Sequence, residues 1–298
     1  MLHPTETSKA KPGLGGRALS WLLPAACLGC DAEARGRLEL GLCRECHARL
    51  RPWPSGGCEI CGGLAGGLEP AHPRCGDCLD EPPPYARLWT AWSYEPPLDG
   101  VVTALKFRRL DYLGLELGRF LAGALGRRLR EGPAAPDVVV AMPLHPLRLL
   151  GRGYNQAALI ARPLASELGI PLRQPLLRWR KTPPQSSLGR RQRRRNLLGA
   201  FTVWRPRWCR GRRILLVDDV VTTGSSLVAA ARCLRAAGAR SVVAATAART
   251  PQRHESEVLE ALTRRRATDN PPQPPFCKGG DKKQLNDDSA QFDTVLCF

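Results

Sequence analysis

Between residues 85 and 249 the apolar positions fall into two alternating patterns. Residues 88–94 (LWTAWSY), rich in aromatic and β-branched side chains, predict a strand. Residues 137–142 (DVVVAM), 213–217 (RILLV) and 241–247 (SVVAATA) are almost wholly aliphatic after their first residue, the composition of strands buried on both faces. Between them, residues 98–107, 112–130, 155–168 and 226–237 have helical spacing. The third of these helices is expected to break near Pro163, and the fourth to stop at Gly238. Buried strands separated by helices predict an α/β domain with a mainly parallel sheet and helices packed on it.

Outside that region the pattern is lost. Residues 1–26 read as a leader without recognisable chemistry. The stretch 18–27 (ALSWLLPAAC) is too short, and too interrupted by Pro24, for a convincing targeting signal. Residues 27–80 carry cysteine pairs separated by Gly and Pro, and 82–84 (PPP) form a stiff linker to the α/β domain at 85–250. From 267 to 298 there is no Arg, yet three of the seven Lys of the chain lie there, so 251–298 is expected to be a disordered or foreign extension. No window reaches the roughly 18 uninterrupted apolar residues that a membrane-spanning helix needs. A cytoplasmic protein without membrane contact is expected.

The net charge of +18 would ordinarily point to a polyanionic partner. Arg outnumbers Lys by 38 to 7, however, and so strong a bias partly reflects coding composition, which weakens the inference.

Eight of the 12 cysteines form four C-x-x-C pairs: Cys27/Cys30, Cys43/Cys46, Cys58/Cys61 and Cys75/Cys78. Twelve residues separate Cys30 from Cys43, and thirteen separate Cys61 from Cys75. Two tetrahedral Cys₄ zinc sites fit this spacing, each closed and therefore structural. A segment so short and Gly-rich has little core of its own, so bound Zn²⁺ would supply its folding energy. Pairing across modules, for instance Cys43/Cys46 with Cys58/Cys61, and an iron–sulfur cluster are the alternatives.

Candidate chemistry concentrates at 214–226 (ILLVDDVVTTGSS). An apolar strand ends in two acids, Asp218 and Asp219, where open α/β sheets bind ligands. Thr222, Thr223, Gly224, Ser225 and Ser226 then lead into a helix. Gly224 permits close backbone approach. Amides at a helix start, with the Thr and Ser hydroxyls, suit an anion. The two carboxylates suit the two hydroxyls of a ribose. The bland alternative, a strand end followed by a helix cap, leaves two adjacent acids at a buried position without a purpose.

This layout resembles the PRPP-binding signature of the type I phosphoribosyltransferases, where PRPP is 5-phosphoribosyl-1-diphosphate. The resemblance implies that Asp218 and Asp219 contact the ribose and serve catalysis. It also implies that Val221, Thr222, Thr223, Gly224, Ser225 and Ser226 hold the 5′-phosphate, and that Mg²⁺ arrives with the diphosphate. Further segments extend the likeness: Leu105-Lys106-Phe107, 143–156 (PLHPLRLLGRGYNQ), 181–201 (KTPPQSSLGRRQRRRNLLGAF) and the cysteine pairs. In this order they are similar to the ComF family (competence protein F), over about 19–250. Arg152, Asn155 and Gln156 then fall on the diphosphate side of the pocket, and 182–196 on a mobile lid. His145, between two prolines, reads equally as structural or catalytic.

The function implied is transfer of ribose 5-phosphate from PRPP to a nitrogen nucleophile of unknown identity, with a role in DNA uptake. The rival is a non-catalytic nucleotide sensor of the transformation machinery. In that reading the ribbons and the Arg-rich run 190–195 would engage single-stranded DNA or a competence helicase.

Overall fold

The computed structural model describes residues 25–34, 38–64, 73–131, 135–179 and 199–269. The expected leader up to residue 24, the lid with its Arg run, and the chain beyond 269 lie outside the described residues. The chain divides into two compact units, one of residues 1–53 with 83–250 and the other of residues 54–82 with 251–298.

The first unit is built on a five-stranded parallel sheet. In chain order its strands are β3 (Arg87–Ser93), β4 (Val138–Ala141), β5 (Leu172–Arg173), β8 (Arg213–Val221) and β9 (Ser241–Arg249), arranged in space as β3-β9-β8-β4-β5. The aliphatic runs take the centre. Ile214 to Val217 pair with Val138 to Ala141 on one side and with Val242 to Ala245 on the other, and all twelve are buried. Helices α3 (Leu98–Phe107), α4 (Tyr112–Glu131), α6 (Gln156–Leu168) and α7 (Ser225–Ala236) accompany the strands. Leu113, Leu117, Leu121 and Leu125 on α4 recur at helical spacing and are buried.

Pro163 does not break α6, which runs through it to Leu168. The missing proline N–H removes only the bond to the Leu159 carbonyl. Tertiary packing outweighs that loss: an added Cβ at Gly118 of α4 would stand 2.4 Å from the Ile160 carbonyl and 2.9 Å from the Pro163 ring. The backbones of α4 and α6 therefore meet at van der Waals contact.

Several elements were not anticipated. Residues 146–152, to which no element was assigned, form helix α5 (Pro146–Arg152), with proline in its first turn and His145 as N-cap accepting from the Leu147 N–H at 3.3 Å. His145 thus caps α5. Strands β6 (Leu176–Arg178) and β7 (Phe201–Val203) pair antiparallel, flanking the segment 180–198. Finally, residues 253–269, grouped above with the extension, form helix α8 (Arg253–Asp269).

Near its start the first unit carries a small β pair, β1 (Ala25–Ala26) with β2 (Glu33–Ala34), and the short helix α1 (Arg44–Ala48). This segment packs on the α/β body: the Leu40 N–H donates to Glu116 of α4 at 2.9 Å, and an added Cβ at Gly100 of α3 would lie 2.1 Å from the Leu28 carbonyl. The second unit contains the short helix α2 (Gly76–Asp80) and α8, whose Glu255 is a buried acid accepting from the backbone N–H of Leu64 (3.0 Å) and Gln252 (2.8 Å). No helix among the described residues is long and apolar enough to cross a membrane.

Candidate phosphate-and-ribose site and cysteine clusters

A cavity of about 640 Å³ opens at the carboxyl end of β4 and β8. Asp218 and Asp219 from β8 and Ser226 from the first turn of α7 line it. Facing them are Met142 to Leu144 after β4, Arg148 and Arg152 of α5, Lys106 at the end of α3, and Arg178 of β6. The expected acids therefore open on a cavity at the sheet edge where parallel α/β folds hold ligands.

The two acids differ in their surroundings. Asp219 is buried, and its carboxylate accepts three hydrogen bonds: from the Val220 N–H at 2.8 Å, from Lys106 Nζ at 2.9 Å and from Gln156 Nε2 at 3.3 Å. Burial alone would raise its pKa, but the Lys106 charge and hydrogen bond, with help from Asp218 and Val220, bring it below the usual carboxylate value. Asp218 accepts from the Asp219 N–H at 2.9 Å. Desolvation and then the neighbouring Asp219 charge push Asp218 well above the usual value.

The turn after β8 leads into α7, and of Val221 to Ser226 the cavity lining includes Ser226 alone. Gly224 sits at φ +72° as N-cap of α7, a left-handed conformation that glycine adopts without strain. Thr223 Oγ1 and Ser225 Oγ lie 2.9 Å apart, and the Val221 carbonyl takes the Thr250 N–H at 2.9 Å, tying the turn to the end of β9. Thr222 is exposed, Val221 and Ser225 are buried, and Thr223 and Gly224 are half-buried.

The three residues expected on the diphosphate side take distinct parts. Asn155 caps α6, accepting from the Ala157 N–H at 3.1 Å and donating to the Met142 carbonyl at 2.9 Å. It locks the loop after β4 against α6. Gln156 bridges Arg152 Nη1 (2.5 Å) and Asp219, and so orients the acid. Arg152 is the one cation of the three, lying against the Phe107 ring at 5.7 Å. Desolvation lowers the pKa of both Arg152 and Arg178. Lys106 and Arg178 are residues to which sequence reasoning assigned no role. Lys106 stood in a recognised tripeptide, Leu105-Lys106-Phe107, and that was the only signal for it.

The cysteines gather by module. Sγ atoms of Cys27, Cys30, Cys43 and Cys46 lie within 4.8 Å of one another, and so do those of Cys58, Cys61, Cys75 and Cys78. The cross-module pairing is not formed. Cys30 and Cys43 sulfurs are 3.9 Å apart, and those of Cys61 and Cys75 are 3.7 Å apart. Zinc–sulfur bonds of about 2.3 Å in a tetrahedron place sulfurs about 3.8 Å apart, so both sets fit Zn²⁺. In the first set, the N–H groups of Gly29 and Cys43 point at Cys27 Sγ (3.4 and 3.2 Å), an arrangement that favours a thiolate ligand. These are structural sites with four protein ligands each.

Comparison with known proteins agrees with both parts. The phosphoribosyl transferase domain matches residues 155–263, and the double zinc ribbon domain matches residues 18–79. The chain is 38% identical to DNA utilization protein YhgH of Salmonella typhimurium over 215 residues, covering 68% of this chain and 94% of that protein. It is 31% identical to competence protein F of Haemophilus influenzae, covering 72% and 93% of the two chains. Competence protein ComFC of Bacillus subtilis is 26% identical, with 65% and 77% covered. A parallel sheet with the acid pair at its edge, two Cys₄ clusters, and these identities over nearly whole relatives together establish that the chain belongs to the ComF/YhgH family of phosphoribosyltransferase-fold proteins.

Proposed function

We propose that the chain binds PRPP and transfers its ribose 5-phosphate group to a nitrogen nucleophile, in the service of DNA uptake or use. The observation that carries this reading is the opening of Asp218, Asp219 and Ser226 onto one cavity that Lys106, Arg109, Arg148, Arg152 and Arg178 also line. Thr222, Thr223, Gly224, Ser225 and Ser226 at the start of α7 would hold the 5′-phosphate, with Val221 anchoring the turn. Asp218 and Asp219 would accept from the ribose hydroxyls. Arg152, with Arg148 beside it on α5, would face the diphosphate, while Asn155 and Gln156 position the loop and the acid.

In the transfer, the bond from ribose C1 to the diphosphate oxygen breaks and the diphosphate leaves with its electron pair. The nucleophile's nitrogen lone pair forms the new bond to C1, and its proton passes to solvent. Mg²⁺ carried by the diphosphate would neutralise the leaving group. Asp218, the acid that Lys106 does not pair with, is the carboxylate suited to it. The names of the relatives support a place in handling DNA.

Isothermal titration with PRPP and Mg²⁺ tests binding. Heat is expected from the intact protein and none from the double substitution Asp218→Asn with Asp219→Asn. No heat from the intact protein would sink the reading. Diphosphate release with candidate amines or bases then reports chemistry.

A second reading, a DNA-binding accessory protein, draws on the β6–β7 hairpin. Trp179 and Trp204 are 63% and 48% exposed, and Arg205 stacks over the Trp204 and Trp208 rings at 4.2 and 4.8 Å. Aromatic faces interleaved with arginine suit stacked single-stranded bases. Affinity for an oligonucleotide that falls steeply with salt, and falls further in Trp179→Ala with Trp204→Ala, would favour it.

A further inference from the structure

A ligand that needs Asp219 Oδ2 as its acceptor meets two donors already there, Lys106 and Gln156, and the Val220 N–H on Oδ1 makes three donors to the carboxylate. Two of the three are fixed. The Val220 N–H belongs to the strand, and Gln156 is buried and held from behind by Arg152. The third, Lys106, is an ammonium on a flexible stem, 24% exposed, in the cavity wall.

The backbone that carries Lys106 is anchored. The Tyr154 hydroxyl donates to the carbonyl of Leu105, the preceding residue, at 2.5 Å, and Leu105 is itself fully buried. A change of position at residue 106 is therefore a side-chain movement with α3 in place. Its destination is limited by charge. Apart from Asp218 and Asp219, the charged groups of the cavity wall are Arg109, Arg148, Arg152 and Arg178, so an anion entering among those arginines is the alternative partner for the ammonium.

We propose that Lys106 has two positions: paired with Asp219 when the cavity is empty, and paired with the diphosphate when PRPP is bound. This rests on the phosphoribosyl reading and adds a residue and a means of discrimination to it. Departure of Lys106 frees Asp219 for a ribose hydroxyl, and arrival on the diphosphate opposes the charge that develops as the C1–O bond breaks. A ligand without the diphosphate gives the ammonium nowhere to go and has to compete with it for Asp219. Lys106 thus favours PRPP over ribose 5-phosphate, and the same residue that blocks the spent site assists the loaded one.

The test is calorimetry of PRPP with Mg²⁺, and separately of ribose 5-phosphate, on the full-length protein and its Lys106→Gln and Lys106→Arg variants. Zinc content and melting temperature serve as checks of folding. Lys106→Gln should weaken PRPP by roughly tenfold or more, the scale of one charge-assisted hydrogen bond, while ribose 5-phosphate binds equally or more tightly. Lys106→Arg, which keeps the charge, should retain the preference for PRPP. Equal weakening of both ligands in Lys106→Gln would reduce Lys106 to a support for Asp219 and overturn the proposal. So would unchanged or tighter PRPP binding. Intact protein that binds neither ligand would instead sink the phosphoribosyl reading itself, and this proposal with it.

Discussion

Asp218 and Asp219 are consecutive on one strand and take opposite electrostatic positions: Lys106 stands 2.9 Å from Asp219, whereas Asp218 faces the charge of Asp219. Burial and the Asp219 charge raise the proton affinity of Asp218, while Lys106 lowers that of Asp219.

The asymmetry fixes a pH dependence. Asp218 has its carboxyl raised in the folded protein, so between its ordinary value and its folded value the folded state binds more protons than the unfolded one. Its contribution to stability falls as pH rises through that window. Asp219, lowered by Lys106 against the effect of burial, contributes stability that is present above its ordinary value and lost as pH falls through its folded value. Asp218→Asn keeps the acceptor for the Asp219 N–H and removes the unfavourable charge. It should raise the melting temperature of the ligand-free protein at pH 7–8 by about 2–4 °C, a gain on the order of 1 kcal/mol. The gain should shrink towards pH 4, and a scanning fluorimetry series across that range would show it.

Metal content distinguishes the two cysteine sets. Atomic spectroscopy of the purified chain should find about two Zn²⁺ per molecule, one for each Cys₄ tetrahedron. Cys46→Ser and Cys78→Ser should each lower the figure to about one. Two zinc ions retained in either variant would contradict the assignment of ligands.

Packing of α4 on α6 can be probed with a matched pair of glycines. Gly118→Ala places a methyl against the Ile160 carbonyl and should destabilise by about 1–3 kcal/mol. Gly123→Ala, on the same helix with nothing within 4 Å of the added carbon, should stabilise by about 0.5–1 kcal/mol. Urea unfolding of the two variants gives the comparison, and similar effects would argue against the close crossing.

Within the second unit, Glu255 holds the Leu64 and Gln252 amides. Glu255→Ala leaves one buried donor, Leu64, and one half-buried donor, Gln252, without their acceptor, a loss of about 1–3 kcal/mol. Limited proteolysis should then cut between residues 54 and 82 faster than in the parent protein, and an unchanged cleavage rate would show that the carboxylate is dispensable.

Much of this was visible in the chain before any coordinates. The central strands were legible because Val138 to Ala141 and Ile214 to Val217 are aliphatic runs that only burial on both faces explains. The acid pair was legible because it lies in the same short segment as its strand and turn. The β6–β7 pair was not, since strands of three residues are too short to carry a periodicity. The start of helix α5 was hidden by Pro143 and Pro146, which read as loop until His145 is seen capping the first turn. Pro163 pointed to a break that the contact of α6 with α4 prevents.

The sequence by itself determined what depends on near neighbours: the cysteine knuckles, the central strands, and the Asp218–Ser226 turn with glycine where φ is positive. Only the tertiary structure decided which cation meets which acid. Lys106 and Asp219 are brought together by the end of α3, the anchor from Tyr154 and the register of β8, and Gln156 reaches the acid from a third element. Backbone geometry acts over a few residues and leaves a local signature, whereas an ion pair between distant segments exists only once packing has fixed where those segments end.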